Sequence, residues 1–249
     1  MTDDWRRDPR FFSLEERIKH ALVPPRLYLR NLAWRRLRKG EKELRLLPAL
    51  VDPGRLTIDI GANKGVYSYV LSRLSRAVLA FEPNPKIYGL LSRAVPANVT
   101  THEVALSNAG GTAELILPIH RCGRFSNQGA TLQTKKLGGN KDFAVWPVEQ
   151  RTLDSYEARD VAFIKIDVEG FELEVLEGAR ETLAREKPVL LAEIDENHAR
   201  RPVNEAIDVI RGYGYDCYYC SRTSLRHYSL FADDETRAPT DNFIFFPLG

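Results

Sequence analysis

Apolar residues in this chain gather into short continuous runs, separated by stretches in which they recur every three or four positions. That is the alternation expected of buried strands and amphipathic helices. The run from Leu56 through Thr57-Ile58-Asp59-Ile60 predicts a first strand, and Val66, Val70, Leu71 and Leu74 form the apolar stripe of the helix after it. Ala77 to Phe81 predicts a second strand. Asn84-Pro85 then supplies a cap and a first-turn proline for a helix running to about Val95, and Val99 to Leu106 predicts a third strand. Short connections and this order describe βαβ units.

The rhythm breaks between Ser107 and Thr152, where polar and Gly-rich stretches such as Gly138-Gly139-Asn140 leave one expected strand, Ala113 to Leu117. A loop region of that length is usually functional or mobile. Regularity returns with a strand at Val161 to Ile166, one helix with Val175, Leu176, Ala179 and Leu183 on its apolar face, and a strand at Val189 to Ile194. A last helix starts at Pro202, carries Val203, Ala206, Ile207 and Ile210 on one face, and ends before Gly212. Tyr215 to Tyr219 and Asn242 to Phe246 complete the pattern as two strands, expected to form an antiparallel hairpin at one sheet edge. There is no internal repeat.

The first 50 residues read differently. A capping-box pattern at Ser13-Leu14-Glu15-Glu16 and a break at Pro24-Pro25 predict two or three short helices. Residues 1 to 45 hold 13 Lys or Arg against 7 Asp or Glu, whereas the whole chain has a net charge of only +2. This basic arm reads as a solvated helical face with an apolar side packed on the domain; a membrane-surface or nucleic-acid role is the alternative. The expected organisation is an N-terminal helical extension over residues 1–50 and one α/β domain over 51–249.

With 249 residues and 43% hydrophobic content, the chain can bury a sizeable core. Its apolar runs all fall short of the roughly 20 residues that span a bilayer. An odd set of cysteines, Cys122, Cys217 and Cys220, behind an N-terminus without an apolar signal core fits a reducing, cytoplasmic setting. Cys217 and Cys220 have C-x-x-C spacing but no second pair to complete a zinc site, and on a strand they point to opposite faces, as core cysteines do.

Two of the strands end in acid followed by glycine: Asp59-Ile60-Gly61-Ala62-Asn63-Lys64-Gly65 and Lys165-Ile166-Asp167-Val168-Glu169-Gly170. Parallel strands deliver both to the same edge, where open α/β sheets bind ligands. The first loop departs from the G-x-G-x-x-G dinucleotide fingerprint, and Asp59 before it repels a pyrophosphate and attracts a cation. Its glycines are expected to open backbone N–H groups to a ligand. Glu82, about 20 residues on, stands at the spacing of an acid that accepts hydrogen bonds from ribose hydroxyls. A ribose, an ammonium group and no phosphate chain together describe S-adenosylmethionine.

These residues, with Phe81-Glu82-Pro83-Asn84-Pro85, Ala105-Leu106-Ser107-Asn108, Thr152-Leu153-Asp154 and the continuation Phe171-Glu172, resemble the FkbM-type S-adenosylmethionine-dependent methyltransferases over roughly Leu56 to Ile194. The resemblance implies a class I methyltransferase, Rossmann-like doubly wound sheet of order 3-2-1-4-5-7-6 with its last strand antiparallel. It further implies O-methylation of a sugar, polyketide or similar hydroxyl compound. It puts Asp59, Gly61, Ala62, Asn63 and Gly65 around the methionine part of the cofactor, and Glu82, with Pro83 and Asn84 beside it, on the ribose. Ala105, Leu106 and Ser107 would border the adenine. Asp167 would sit between cofactor and acceptor, with Glu169 orienting the turn or the substrate.

Such a transfer needs an aligned acceptor oxygen and a base for its proton. Asp167, Glu193 and His198 are the candidates: Glu193 interrupts an apolar strand, and His198 is either that base or a helix-end residue. Asp167, Asp195 and Asn197 are oxygen ligands that would suit Mg2+, although scattered surface acids are commoner and the metal-free site is preferred. His120, Arg121, Arg124, Lys135, Lys136 and Lys141 suit either a solvated loop or a lid over an anionic acceptor; Cys122 among them is an accessible-thiol candidate rather than a nucleophile.

The expected partner is a small-molecule or glycan acceptor. A nucleic-acid acceptor is disfavoured, because Asp167-Val168-Glu169-Gly170 stands where amino-directed base methylation resembles Asn/Asp-Pro-Pro-aromatic. The intact acids also argue against a non-enzymatic nucleoside-binding module with a basic docking arm. Asn242-Phe243-Ile244-Phe245-Phe246, read as an exposed edge strand, would pair two subunits into a homodimer.

Overall fold

The computed structural model of the chain describes residues 22–40, 42–119, 143–195, 202–221, 224–234 and 240–249. Within them the strands are β1 (Leu56–Ile60), β2 (Ala77–Phe81), β3 (Val99–His102), β4 (Ala105–Leu106), β5 (Gly111–Pro118), β6 (Phe143–Arg151), β7 (Val161–Ile166), β8 (Val189–Glu193), β9 (Tyr215–Cys220), β10 (Leu225–His227) and β11 (Asn242–Pro247). The α-helices are α1 (Pro25–Lys39), α2 (Leu47–Leu50), α3 (Val66–Leu71), α4 (Pro85–Ala94), α5 (Glu172–Glu177), α6 (Arg180–Glu186) and α7 (Val203–Gly212).

Eight strands form one sheet in the order β10-β9-β11-β8-β7-β1-β2-β3. β1, β2, β3, β7 and β8 run parallel, and β11 pairs antiparallel with both β8 and β9. Counting only the parallel set, β11 and β9, this is the expected 3-2-1-4-5-7-6, with β10 added at one edge. The order reverses at β1, which feeds β2 on one side and meets β7 on the other. The crevice of such a sheet therefore lies between the carboxyl ends of β1 and β7.

Both faces are covered, which is why β7 is buried at every position. On one face, Val78, Ala80, Phe163, Leu191 and Ile244 pack with Leu29 of α1, Leu47 of α2, Leu71 of α3 and Leu91 of α4. On the other, Ile58, Ile60, Ile164, Phe243 and Phe245 meet Val175 and Leu176 of α5, Leu183 of α6 and Ile207 and Ile210 of α7. The opposed cysteines divide as strand alternation requires: Cys217 joins the second cluster and Cys220 the first. Both are free thiols, and burial pushes both upward from the ordinary thiol value, Cys220 to about 11.

Several expectations need correction. The third strand stops at His102, and Ala105–Leu106 instead pairs parallel with β6, which with β5 makes a second, three-stranded sheet. β6 was hidden by Pro147, a residue that normally demotes a strand. It is tolerated because β4 pairs with β6 only at Gln150 and Arg151, so Pro147 faces a partner, Glu114, on one side only. The helix expected over Val175 to Leu183 is two helices. They separate at Gly178, where a Cβ would stand 2.0 Å from the Ser107 carbonyl oxygen.

At the C-terminus, α7 includes Gly212, and the left-handed position falls to Gly214. The two terminal strands pair antiparallel as expected, but β10 takes the sheet edge beside β9. β11 lies inside the sheet with Phe243, Ile244 and Phe245 buried, because β8 and β9 take its two sides. The exposed edge inferred for subunit pairing is therefore absent at that strand. Ser13-Leu14-Glu15-Glu16 and Gly138-Gly139-Asn140 lie outside the described residues.

Candidate functional site

Gly61 and Asp167 mark where the two acid-tipped strands meet. The Asp167 N–H donates to the Ile60 carbonyl at 3.0 Å, and a Cβ on Gly61 would stand 1.8 Å from the Asp167 carbonyl oxygen. Gly61 takes φ +77°, a conformation glycine adopts without Cβ strain. The glycine thus serves the contact between two strand ends of the protein. Gly65, at φ +86°, similarly admits Leu91 of α4, whose Cδ1 would be 2.6 Å from an added Cβ.

Expected openness of the turn's backbone is corrected by the hydrogen bonds. The N–H groups of Gly61 and Ala62 both donate to the Phe81 carbonyl, at 3.0 and 2.9 Å, Gly65 donates to the Ala62 carbonyl, and Asn63 donates to Glu82 Oε2 at 2.8 Å. Ala62 and Gly65 are buried, and buried donors must be paired. What it offers a ligand is shape and side chains rather than bare N–H groups.

Glu82 sits just past β2, its second oxygen accepting from the Asn84 N–H at 2.9 Å. Two backbone donors hold the carboxylate in one pose, and each oxygen keeps a further lone pair. Burial pushes its pKa up to about 7, against those two hydrogen bonds and with the nearby Asp167 and Asp59 carboxylates adding to the rise. Pro83 follows, and the Asn84 side chain caps α4 by accepting from the Lys86 and Ile87 N–H groups. That oxygen is committed to the fold.

Asp59 is buried one residue before the end of β1 and accepts a 2.5 Å hydrogen bond from Ser68 Oγ of α3. Burial raises its pKa to about 6, opposed by Ser68 and by the charge of Lys165. The cation that Asp59 was expected to attract is thus first of all an internal one: Lys165 is its register partner on β7.

Lys165 is the residue that sequence reasoning missed. Its side chain is only 1% exposed, its Nζ donates to Asn242 Oδ1 at 3.0 Å, lies 3.9 Å from Glu193 Oε2 and stands 5.1 Å from the centroid of the Tyr67 ring. Glu193 and Asn242 are direct cross-strand partners. Strand alternation puts Asp59, Lys165 and Glu193 on the α3 side of the sheet, in a polar layer above Phe163 and Leu191. The available signal was a lysine two residues before an acid inside an otherwise apolar strand, a position that burial makes costly without partners.

Asp167 and Glu169 are half-buried in the turn after β7, Glu169 at φ +55° and Gly170 at +98°. Glu172 at the start of α5 accepts from the Gly170 N–H at 2.9 Å, and burial raises its pKa, with Asp167 contributing. Glu193 closes β8 with its side chain 36% exposed. Ala105, Leu106 and Ser107 lie buried beyond the end of β3, with the Ser107 N–H bonded to the Arg151 carbonyl at 2.9 Å.

His198 and Asn197 lie outside the described residues, as do His120, Arg121, Cys122, Arg124, Lys135, Lys136 and Lys141. Among the described residues no group of three or more His, Cys, Asp or Glu could hold a metal ion, and no helix is long and apolar enough to cross a membrane.

At the crevice the Asp167 charge acts on Asp59, Glu82 and Glu172, and the charge of the buried Lys165 ammonium acts on Asp59. Such a set suits a ligand that brings positive charge and hydroxyl donors. Residues 59–217 match the family described as the Methyltransferase FkbM domain. A hexuronic acid methyltransferase of Haloferax volcanii is 30% identical over 152 residues, which is 58% of this chain. The chain spans 59% of that curated relative. Among solved structures, the methyltransferase FkbM from Methylobacillus flagellatus aligns with TM-score 0.49 and 15% identity, covering 98% of this chain and 60% of that one. A magnesium protoporphyrin IX methyltransferase from Synechocystis, solved with bound S-adenosylmethionine, aligns with TM-score 0.41 and 12% identity over 100% and 92% of the two chains.

Proposed function

Since the chain belongs to the Methyltransferase FkbM domain family, we propose that it is an S-adenosylmethionine-dependent O-methyltransferase acting on a hydroxyl of a saccharide or related small metabolite. The observation that carries the reading is the carboxylate cluster at the switch point, with Asp59 and Glu82 held by burial near 6 and 7. A cationic ligand relieves both desolvated acids at once. The 30% identical hexuronic acid methyltransferase supports a sugar acceptor.

The residues fit the cofactor as follows. Glu82, fixed by the Asn63 and Asn84 N–H groups, takes the ribose hydroxyls on its outward lone pairs. Asp59, Gly61, Ala62, Asn63 and Gly65 shape the methionine end, and Ala105, Leu106 and Ser107 border the adenine. When bound, the cofactor supplies an electrophilic methyl group on a sulfonium leaving group. The chain then has to align the acceptor oxygen and take its proton. Glu193 is the proposed base, since it combines exposure with a place beside the crevice, and Asp167 and Glu169 orient the acceptor. Lys165 is a positioning residue, its charge holding Glu193 in place. His198 is the alternative base. The site is read as metal-free, and a cytoplasmic setting fits the free thiols of Cys217 and Cys220.

Isothermal titration with S-adenosylmethionine tests the cofactor assignment. The wild type should bind, and Asp59→Ala and Glu82→Ala should each weaken binding by at least about tenfold. A wild type that does not bind, or two variants that bind undiminished, overturns it. Incubating the protein and cofactor with saccharides containing hexuronic acid, and identifying products by the mass of one added methylene, then tests the acceptor class.

A further inference from the structure

Net positive charge in this protein concentrates on one helix. α1 carries Arg26, Arg30, Arg35, Arg36, Arg38 and Lys39 and no acidic residue. The whole chain has a net charge of +2, so removing the six charges of α1 leaves the remainder at −4. A field of that kind selects an anionic partner.

The helix is also fixed to the domain. Leu29 and Ala33 are fully buried, and Leu29 packs into the core cluster that holds Leu71 and Leu91. On the outward side, Leu27, Asn31, Trp34 and Arg38 follow one another at spacings of four, three and four, which aligns them in one stripe. Trp34 is 56% exposed and Leu27 39%, and Leu22, just before the helix, is 76% exposed. Arg30 and Arg35 flank the stripe. The indole and Leu27 of the helix, with Leu22 before it, stand among guanidinium groups, a set that can rest ring and aliphatic carbons at a headgroup boundary and cations on phosphates.

Nucleic acid fits this face less well. The Arg38 guanidinium lies 4.6 Å from the Trp34 ring centroid and covers one side of it, where a base would have to stack. The exposed leucines offer phosphates nothing, whereas an acyl boundary accepts them.

The position gives the face a purpose. α1 packs on α3 and α4, and a Cβ on Gly65 would be 3.5 Å from Leu29 Cδ2. A surface touching the outer stripe thus lies about one helix diameter, roughly 10 Å, from the turn after β1.

We infer that α1 docks the protein peripherally onto an anionic lipid bilayer, with Trp34 and Leu27 at the headgroup boundary and the arginines on lipid phosphates. This inference goes beyond the methyl-transfer reading and does not depend on it.

Co-sedimentation of the full chain tests it, using vesicles of phosphatidylcholine mixed with phosphatidylglycerol against vesicles of phosphatidylcholine alone, at physiological salt. Binding should favour the anionic vesicles by at least about tenfold, and Arg30→Glu with Arg35→Glu and Arg38→Glu should abolish that preference. Circular dichroism melts should match the wild type, since these side chains are exposed. Should the triple variant not fold, the single variant Trp34→Phe decides. Vesicles should shift wild-type tryptophan emission to the blue, and most of that shift should vanish in this variant. Equal binding to neutral vesicles overturns the proposal, as do undiminished binding by the triple variant, a shift retained in Trp34→Phe, or preference for a single-stranded RNA over anionic vesicles.

Discussion

The two halves of the crevice are built on opposite principles. On the side of β1 and β2, Asp59 and Glu82 are buried, their oxygens are engaged by Ser68, Asn63 and Asn84, and the N–H groups of Gly61, Ala62, Asn63 and Gly65 are spent inside the turn. On the side of β7 and β8, Asp167, Glu169 and Glu193 are half-buried to partly exposed, and one buried lysine underlies them. A closed, fully paired half suits a ligand that is always the same. A half whose acids are only partly buried leaves them available to a partner. The difference lies in how far each half's polar groups are already committed to the fold.

The contact between the halves is where the comparison can be broken most severely. Gly61→Ala would drive a methyl group into the Asp167 carbonyl, 1.8 Å away, at a positive φ. It should cost upward of about 4 kcal/mol of stability or prevent folding. Gly212→Ala is the matched control, because a Cβ there meets nothing within 4 Å, and it should be neutral or stabilising by up to about 1 kcal/mol. Denaturant melts of both read the result; a tolerated Gly61→Ala would mean that the two strand ends are less tightly joined than described.

Lys165→Met separates the halves by function. With the acceptor that the saccharide assay identifies, kcat should fall about a hundredfold. Affinity for S-adenosylmethionine should fall less than it does in Asp59→Ala, because Asp59 keeps its Ser68 hydrogen bond and Glu82 and the turn remain fixed. Lys165→Arg should restore part of the rate. Equal losses in cofactor affinity and kcat would place Lys165 on the donor side and erase the distinction.

The smallest effect is a pH dependence confined to the closed half. Asp59 and Glu82 have folded-state values above their unfolded ones, so the folded chain holds the extra protons between about pH 4 and 7. Without ligand, their contribution to stability is greatest below pH 4 and is lost as pH rises through about 6 for Asp59 and about 7 for Glu82. A cation that prefers Glu82 ionised should bind more tightly as pH rises toward 7, by up to about tenfold per pH unit. Titrations from pH 5 to 8 should show this slope in the wild type and a shallower one in Glu82→Gln.

Much of the closed half was legible before the fold was known. The DxGANxG turn, Glu82 at its spacing and the Asn84-Pro85 helix start are local patterns whose physics is local: left-handed glycines, an acid after a strand, a cap that pairs two N–H groups. The open half was less legible because its members meet only through the sheet. Lys165 gains its meaning from Asp59, Glu193, Asn242 and Tyr67, four residues from four other elements. Pro147 disguised β6, since the one-sided pairing that excuses it depends on where β4 ends.

By itself the sequence determined the alternation of strand and helix, the parallel core, the capped and glycine-turned loops, and a charged arm. Each of these follows from the chemistry of residues close together in the chain. Tertiary structure alone decided that Ala105–Leu106 joins a second sheet with β6, that Gly61 and Gly178 are demanded by carbonyl oxygens of the chain itself, and that a buried lysine joins the acids of β1 and β8. Those outcomes rest on contacts between residues distant in sequence, where packing and the desolvation of charge take precedence over local preference.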